Sequence, residues 1–298
     1  MSHYSIDFSR FKNRLKFHIS SDTLLHEYLN TDYLWNSKFV RSKICLAIGD
    51  YYEMHPETVC DIAVISELIH NASLIHDDII DRDEIRRGCP SVWKKHGKNN
   101  AILLGDLLIS KSFSLIPNLK ISDQSKVIAV KLLSETIDSL VKGVYNEINE
   151  NFNSQCNIKD AYIKMISQKT GKLIQFSSEC LLGTTNADSK IRSSLSNALL
   201  NFACAYQISD DFHDRNNDNV GSDISNNRPN VFTLLCEDNG DKEVGEIFKL
   251  QKSLLVNANQ SLAFIPAPLS SSIREVLSPY VSFCKGGDDI KFGELLTR

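Results

Sequence analysis

Between Pro117 and Pro229 no proline interrupts the chain, and that stretch holds only four glycines, Gly143, Gly171, Gly183 and Gly221. A sheet protein needs a turn every few residues, whereas long helices need none, so this scarcity of breakers points to helix. The hydrophobic pattern agrees. From Asp61 to His76 apolar residues recur at three- and four-residue spacing around most of the helical circumference, which marks a core helix. Gln124 to Glu150, Ile158 to Gly183 and Ser189 to Asp214 read as further long helices. Turn residues gather at Arg87 to Pro90, Ile116 to Asp123, Asn216 to Asn230 and Glu237 to Lys242, and Pro266-Ala267-Pro268 starts a final helical pair. With no linker and no repeat, the expectation is all-α: one domain over 1–298, about ten helices bundled around a central cavity.

Composition narrows the function classes. The 298 residues are 42% hydrophobic and 23% charged, with a net charge of -4. That balance builds a globular core and gives no basic footprint for nucleic acid. Any anionic substrate must therefore be held by local cations or metals. The eight cysteines are scattered singly and form no C-x-x-C pair, so they read as small buried hydrophobes in a reducing compartment. The first 20 residues lack an apolar signal core, and no run of about 18 uninterrupted apolar residues appears. The expected location is the cytoplasm, with no membrane span.

Asp77-Asp78-Ile79-Ile80-Asp81 closes the first core helix. Asp77 and Asp81 are i, i+4 neighbours, about 6 Å apart along the axis. Like charges at that spacing destabilise a helix unless a cation lies between them. Paired carboxylates suit Mg²⁺, which takes one or two of them together with water and phosphate oxygens. A second copy, Asp210-Asp211-Phe212-His213-Asp214, again closes an apolar helix. Either pentapeptide alone reads equally well as a solvated acidic face. Two of them, each ending a core helix, describe carboxylate clusters for metals and a diphosphate.

Basic residues accompany them. Arg86 and Arg87 follow the first motif and can fork onto phosphate oxygens. Lys38 and Arg41 are three apart and are expected on one helix face. Lys169-Thr170-Gly171 interrupts another apolar helix with a cation and a hydroxyl. His70 and His76, on the apolar helix, read equally as satisfied core histidines.

Taken in order, these segments resemble the trans-isoprenyl diphosphate synthase family over roughly residues 38–284. The resemblance is carried by Glu67 to Asp81, Arg86-Arg87-Gly88, Gly105-Asp106-Leu107-Leu108, Lys169-Thr170, Tyr206 to Asp211 and Gly221-Ser222-Asp223. It implies that Asp77, Asp78 and Asp81 bind two Mg²⁺ on an allylic diphosphate, and that Asp210, supported by Asp211 and Asp214, holds a third. It further implies that Arg86, Lys169 and Gln207 contact the allylic diphosphate, with Thr170 beside Lys169. Lys38, Arg41, His70 and Arg87 would hold isopentenyl diphosphate, and the assembly would be a homodimer. The implied reaction is ionisation of the allylic substrate, attack by the isopentenyl double bond and loss of a proton. Ser73 and Ala72, four and five residues before Asp77, are small, which implies a deep cavity and products of geranylgeranyl length or longer.

Departures from the family pattern are local. Asn36-Ser37 replaces a glycine pair, Gly143-Val144 replaces Gly-Gln, and the segment after Asp214 carries no lysine, leaving Arg228 as its expected closure cation. Two other readings use the same motifs: a class I terpene cyclase-like enzyme, and a non-catalytic subunit of a heteromeric synthase. The cyclase has no use for Lys38, Arg41 and His70, and such a subunit typically loses the first aspartate motif.

Overall fold

The computed structural model describes residues 6–29, 32–149, 157–216, 230–235, 241–280, 282–285 and 288–291. In chain order the helices are α1 (Phe8–Ser20), α2 (Thr23–Leu29), α3 (Asp32–Trp35), α4 (Val40–Tyr51), α5 (Pro56–Asp81), α6 (Val92–His96), α7 (Lys98–Leu115) and α8 (Asp123–Asn149). They continue as α9 (Ile158–Ile166), α10 (Lys172–Leu182), α11 (Ser189–Asn216), α12 (Val231–Leu235), α13 (Asp241–Leu262) and α14 (Ala267–Leu277). Two short antiparallel hairpins complete the described chain: β1 (Ile85–Arg86) with β2 (Cys89–Pro90), and β3 (Ser282–Lys285) with β4 (Asp288–Lys291). The fold class is all-α. The chain divides into two compact units, residues 1–134 with 176–186, and residues 135–175 with 187–298.

In the first unit α5 is the core. Pro56 occupies its first turn, where the missing N–H costs nothing. Val59, Ile62, Val64, Ile65, Leu68, Ile69 and Ile75 are all buried, pointing in every direction around the axis. Each such side chain contributes about 1.5–3 kcal/mol on burial. Neighbours α1, α4 and α7 pack against it. Gly105 on α7 lets the His76 ring come so close that no Cβ would fit between them. A buried carboxylate ties α1 to α5: Asp61 accepts from Arg14 Nη2 at 2.9 Å and meets His18 Nε2 at 3.2 Å. Arg82, at φ 61, stops the helix directly after Asp81.

Two helices, 56–81 and 98–118, are long and apolar enough to cross a membrane by length and composition. In α5 83% of the apolar window is buried inside the protein, as expected of a core helix, against 39% in the second. The uninterrupted-run criterion missed both because polar residues punctuate them.

In the second unit α11 packs along α13, where Gln251 Nε2 donates to the Ala205 carbonyl at 3.1 Å and to Ser209 Oγ at 2.6 Å. The expected helix from Ile158 to Gly183 forms, but it is interrupted. Residues Ser167–Gly171 make a π turn, a register error in the hydrogen-bond ladder that often marks a functional position. The expected final helical pair is one helix, α14, followed by a 3₁₀ turn and the β3–β4 hairpin. Gly286-Gly287 between two short runs is the two-residue hairpin signal that outweighs helix there.

Candidate active site

The first unit presents the end of α5. Its 26 residues place the aspartates at one end, and the i, i+4 spacing puts Asp77 and Asp81 on the same side of the last turn. Asp77 is half-buried, Asp81 is buried, and Asp78 has no exposure at all. Asp78 points inward: its Oδ1 accepts from Arg86 Nε at 2.7 Å, and Tyr33 Oη lies 3.5 Å from its Oδ2. Burial pushes the Asp78 carboxyl up to about 6, against the pull of the Arg86 charge and hydrogen bond. Arg86 also reaches Asp83 Oδ2 at 3.1 Å. Two of the expected ligands, Asp78 and Arg86, are thus engaged with each other.

Arg87 sits in the β1–β2 turn at φ 54. Its Nη1 donates to the Tyr33 carbonyl at 3.0 Å, and its guanidinium lies 5.8 Å from the centre of the Tyr33 ring. His70, two turns before Asp77, stays neutral: burial and the charges of Arg41, Arg87 and Arg86 hold it well below its ordinary pKa. Three arginines around a neutral imidazole make a local positive site that the net charge of the chain does not foretell. Lys38 and Arg41 do not share a helix face. Lys38 precedes α4, and Phe39 between them is left-handed at φ 52, so the helix begins only at Val40. A cavity of about 550 Å³ in this unit opens at the other end of α5, lined by Tyr52, His55, Thr58, Lys120, Ser122 and Thr184 among others. Roughly 30 Å of helix separates that end from the aspartates.

The second unit carries the second motif near the end of α11. Asp210 is half-buried and Asp211 is 2% exposed. Asp211 accepts from Tyr162 Oη at 2.8 Å, Gln207 Nε2 at 3.0 Å and the Val231 N–H at 2.8 Å. Thr170 Oγ1 donates to Gln207 Oε1 at 3.0 Å, so the predicted Thr170, Gln207 and Asp211 form one chain of bonds. Lys169, on the π turn, donates to both oxygens of Glu147, at 3.0 and 2.8 Å. Gly143 on α8 permits this approach, since a Cβ there would lie 2.8 Å from the Lys169 nitrogen. The Asp214 side chain and the whole of Arg228 lie outside the described residues.

Four partners escaped sequence reasoning: Tyr33, Glu67, Glu147 and Tyr162. Tyr33, Glu147 and Tyr162 meet their partners across 22 to 54 residues of sequence, so no local motif names them. Glu67 stood inside the resembling segment, where a glutamate in an apolar run was itself the available signal.

The donor set fits a hard cation. Half-buried Asp77 and buried Asp81 offer oxygen only, two carboxylates at one helical turn, which suits Mg²⁺ completed by water and phosphate. Among the described residues, no group of three or more His, Cys, Asp or Glu side chains stands in metal-binding geometry.

Comparison with known proteins gives a consistent picture. The polyprenyl synthetase family model matches residues 23–260. A short chain isoprenyl diphosphate synthase of Methanocaldococcus jannaschii is 28% identical over 235 residues, 77% of this chain and 68% of that protein. A geranylgeranyl diphosphate synthase of Methanosarcina mazei is 31% identical over 180 residues, 59% of this chain and 54% of that protein. The chain thus matches little more than half the length of the second relative. The crystal structure of geranylgeranyl pyrophosphate synthetase from Pyrococcus horikoshii superposes with a TM-score of 0.79 at 25% identity, covering 90% of this chain and 94% of that one.

Proposed function

Since the chain belongs to the polyprenyl synthetase family, and is a transferase on that footing, we propose that it condenses isopentenyl diphosphate with an allylic diphosphate. The product is a longer trans-prenyl diphosphate, of geranylgeranyl length or more. The observation that carries this reading is the meeting, in one unit, of an acidic helix edge (Asp77, Asp81) with Arg41, Arg86 and Arg87 around neutral His70. A metal-bound diphosphate needs both signs of charge side by side. A solvated acidic face needs no cluster of half-buried arginines, and a cyclase needs no second diphosphate site.

Asp77 and Asp81, and on the other motif Asp210 and Asp214, would hold Mg²⁺, three ions in all with substrate bound. When bound, the metal supplies Lewis-acid stabilisation of the departing diphosphate. The protein's own groups do the rest. Arg86 and Lys169 exchange their present carboxylate partners, Asp78 and Glu147, for phosphate oxygens of the allylic substrate. The exchange leaves two buried carboxylates without their cations, a cost that the phosphate contacts must offset. Gln207 keeps Thr170 and Asp211 aligned. Arg41, Arg87 and Lys38 hold the homoallylic diphosphate, with His70 neutral between them and able to donate one N–H. An apolar cavity keeps water from the developing cation, and the small Ser73 and Ala72 leave it deep. Released diphosphate accepts the proton.

The assembly is a homodimer in this reading, supported by apolar side chains that α7 and α8 expose: Ile102 and Leu103 on the first, Val127 and Val130 on the second. Cys45, Cys60, Cys180 and Cys204 are free and buried, which supports a reducing, cytoplasmic location.

The test is incubation of the purified chain with isopentenyl diphosphate and each allylic starter in turn, with products sized by chromatography. Chain-elongated products with Mg²⁺ and none in excess chelator support the reading. Cyclised hydrocarbon from an allylic substrate alone would replace it with the cyclase.

A further inference from the structure

Where the chain enters α12, residues 230 and 231 close on a single residue of the second motif. Asn230 Nδ2 donates to the Asp211 backbone carbonyl at 3.1 Å, and the Val231 N–H donates to Asp211 Oδ2 at 2.8 Å. Asn230 and Val231 have no solvent exposure, and Asp211 has 2%. The grip thus takes the main chain and the side chain of one residue together. The Asn230 amide is oriented by its partner, since a carbonyl oxygen only accepts and must face the nitrogen end. Its own carbonyl accepts from the Leu234 N–H at 3.0 Å, which places Asn230 at the start of α12. An asparagine there ordinarily serves its own first turn through the side-chain oxygen. That use leaves the nitrogen to reach α11. A carbonyl has two lone pairs, so the added bond does not displace the helical one.

Tyr162 from α9 and Gln207 from α11 also hold Asp211, but both of those bonds take its carboxylate. Asn230 takes the main chain. On the other side of Asp210, Gln251 from α13 donates to Ser209 Oγ at 2.6 Å and to the Ala205 carbonyl at 3.1 Å, and it too is buried. Asp210 therefore lies between two residues, Ser209 and Asp211, each tied to a buried amide from another element. On a helix the direction of a side chain follows from the backbone that carries it, so holding residues 209 and 211 aims Asp210. A metal ligand works only when held within about 0.5 Å of its productive position, and the groups around it set that position.

We propose that Asn230 is a positioning residue for the metal at the second motif: its amide grips the Asp211 backbone, and so fixes the turn of α11 from which Asp210 reaches the ion. This rests on the reading above, in which Asp210 holds Mg²⁺. It assigns Asn230 no contact with metal or substrate.

The full-length Asn230→Ser protein tests it. Serine starts a helix as well as asparagine does, but it is too short to reach α11, so only the bond to Asp211 is lost. Two readouts are taken: the Mg²⁺ concentration for half-maximal turnover, and the rise in Tm that Mg²⁺ with inorganic pyrophosphate produces. The first should increase about three- to tenfold, the worth of one neutral hydrogen bond. With the ligand at about a hundred times Kd, the stabilisation should shrink by roughly a quarter to a half. The KM for isopentenyl diphosphate should stay within about twofold, because that site lies on α4 and α5. A lower Tm without ligand, combined with a wild-type Mg²⁺ requirement and a wild-type ligand-induced rise, overturns the inference, since a merely structural role produces that pattern. Should Asn230→Ser not fold, Asn230→Leu, which keeps the volume without any N–H, decides by the same two readouts. Wild-type protein that is not stabilised by Mg²⁺ with pyrophosphate, or that elongates no substrate, would instead refute the proposed function, so the two failures are distinct.

Discussion

At the end of α5 the second aspartate of the motif is buried against an arginine; near the end of α11 its counterpart is buried and, among the described residues, bonded to neutral donors. Asp78 has Arg86 at 2.7 Å and a tyrosine hydroxyl at the long distance of 3.5 Å. Asp211 has a phenol, an amide and a backbone N–H, all at 3.0 Å or less. The sequences are nearly the same, and the supports differ in one respect that matters. A guanidinium is a partner that a phosphate can draw away, while a backbone N–H and a buried phenol stay where they are. The α5 end is therefore the adjustable one and the α11 end the fixed one. At each end the outer aspartate that opens the motif, Asp77 or Asp210, is half-buried, while the second is buried.

The largest effect should come from those outer residues. Asp77→Ala and Asp210→Ala should each lower turnover by about a thousandfold or more, because several kcal/mol of transition-state stabilisation are lost at 1.4 kcal/mol per decade. Helical circular dichroism should be unchanged. If one of the two mutants kept full rate, the ends would not be equivalent in chemistry, and the comparison would fail at its first step.

Removing the inner aspartates should separate the ends by stability. Asp211→Ala leaves three donors unsatisfied in a buried site and should cost about 3–4 kcal/mol. Asp78→Ala should cost about half as much on the same scale, because the Arg86 left behind still has Asp83 at 3.1 Å and is partly open to water. Urea midpoints at constant m-value measure both. Equal losses would mean that Arg86 is as irreplaceable as the neutral donors.

The same contrast has a pH signature. Asp78 in the folded protein titrates at about 6, above its ordinary 3.8, because burial disfavours the charged form. A carboxyl raised by folding takes up a proton in the native state first. Its ionised form thus counts against the fold above pH 6, and that penalty fades as pH falls towards 4. Asp78→Asn has no such proton. Relative to wild type it should gain stability as pH rises from 4 to 7, by up to about 3 kcal/mol at 1.36 kcal/mol per pKa unit. A difference flat with pH in metal-free buffer would show that Arg86 fully compensates the buried charge.

What the chain announces in advance is whatever is local. The apolar circumference of α5, the breaker-free run of α8 and the lysine that interrupts a helix at 169 are all patterns within a few turns. The first two became helices with nearly the expected ends, and the third became a π turn. Lys38 was misplaced because the left-handed Phe39 depends on its packing against Phe8 and Phe11, which the sequence does not display. Glu147, Tyr33 and Tyr162 act through tertiary contacts, so their roles appear only once the helices are packed. The β3–β4 hairpin is the opposite case. Its Gly-Gly pair stands in the sequence, but the Pro266-Ala267-Pro268 start alone led to the expectation of a second helix there.

The finest distinction between the two ends is one hydroxyl on each side. Tyr162 and Tyr33 both direct a phenol at the second aspartate of a motif, and both are buried. Tyr162 Oη stands 2.8 Å from Asp211 Oδ2, a good O–H···O⁻ distance. Tyr33 Oη stands 3.5 Å from Asp78 Oδ2, beyond the range in which a hydroxyl bond has much strength. Burial, and after it the Asp78 charge, raises the Tyr33 pKa, so its proton is in place and only the distance limits the bond. Tyr162→Phe should cost about 1.5–2 kcal/mol, the lower part of the range for a hydrogen bond to a charged group. Tyr33→Phe should cost less than about 0.5 kcal/mol, because a bond stretched past its normal length contributes little. Both phenylalanines keep the ring, including the face that lies beside Arg87, so packing cancels from the comparison. Paired urea titrations in metal-free buffer read the two values directly. A Tyr33→Phe loss matching that of Tyr162→Phe would mean that Tyr33 closes onto Asp78 in solution. The α5 end would then share its load between arginine and phenol, and would be no more adjustable than the α11 end.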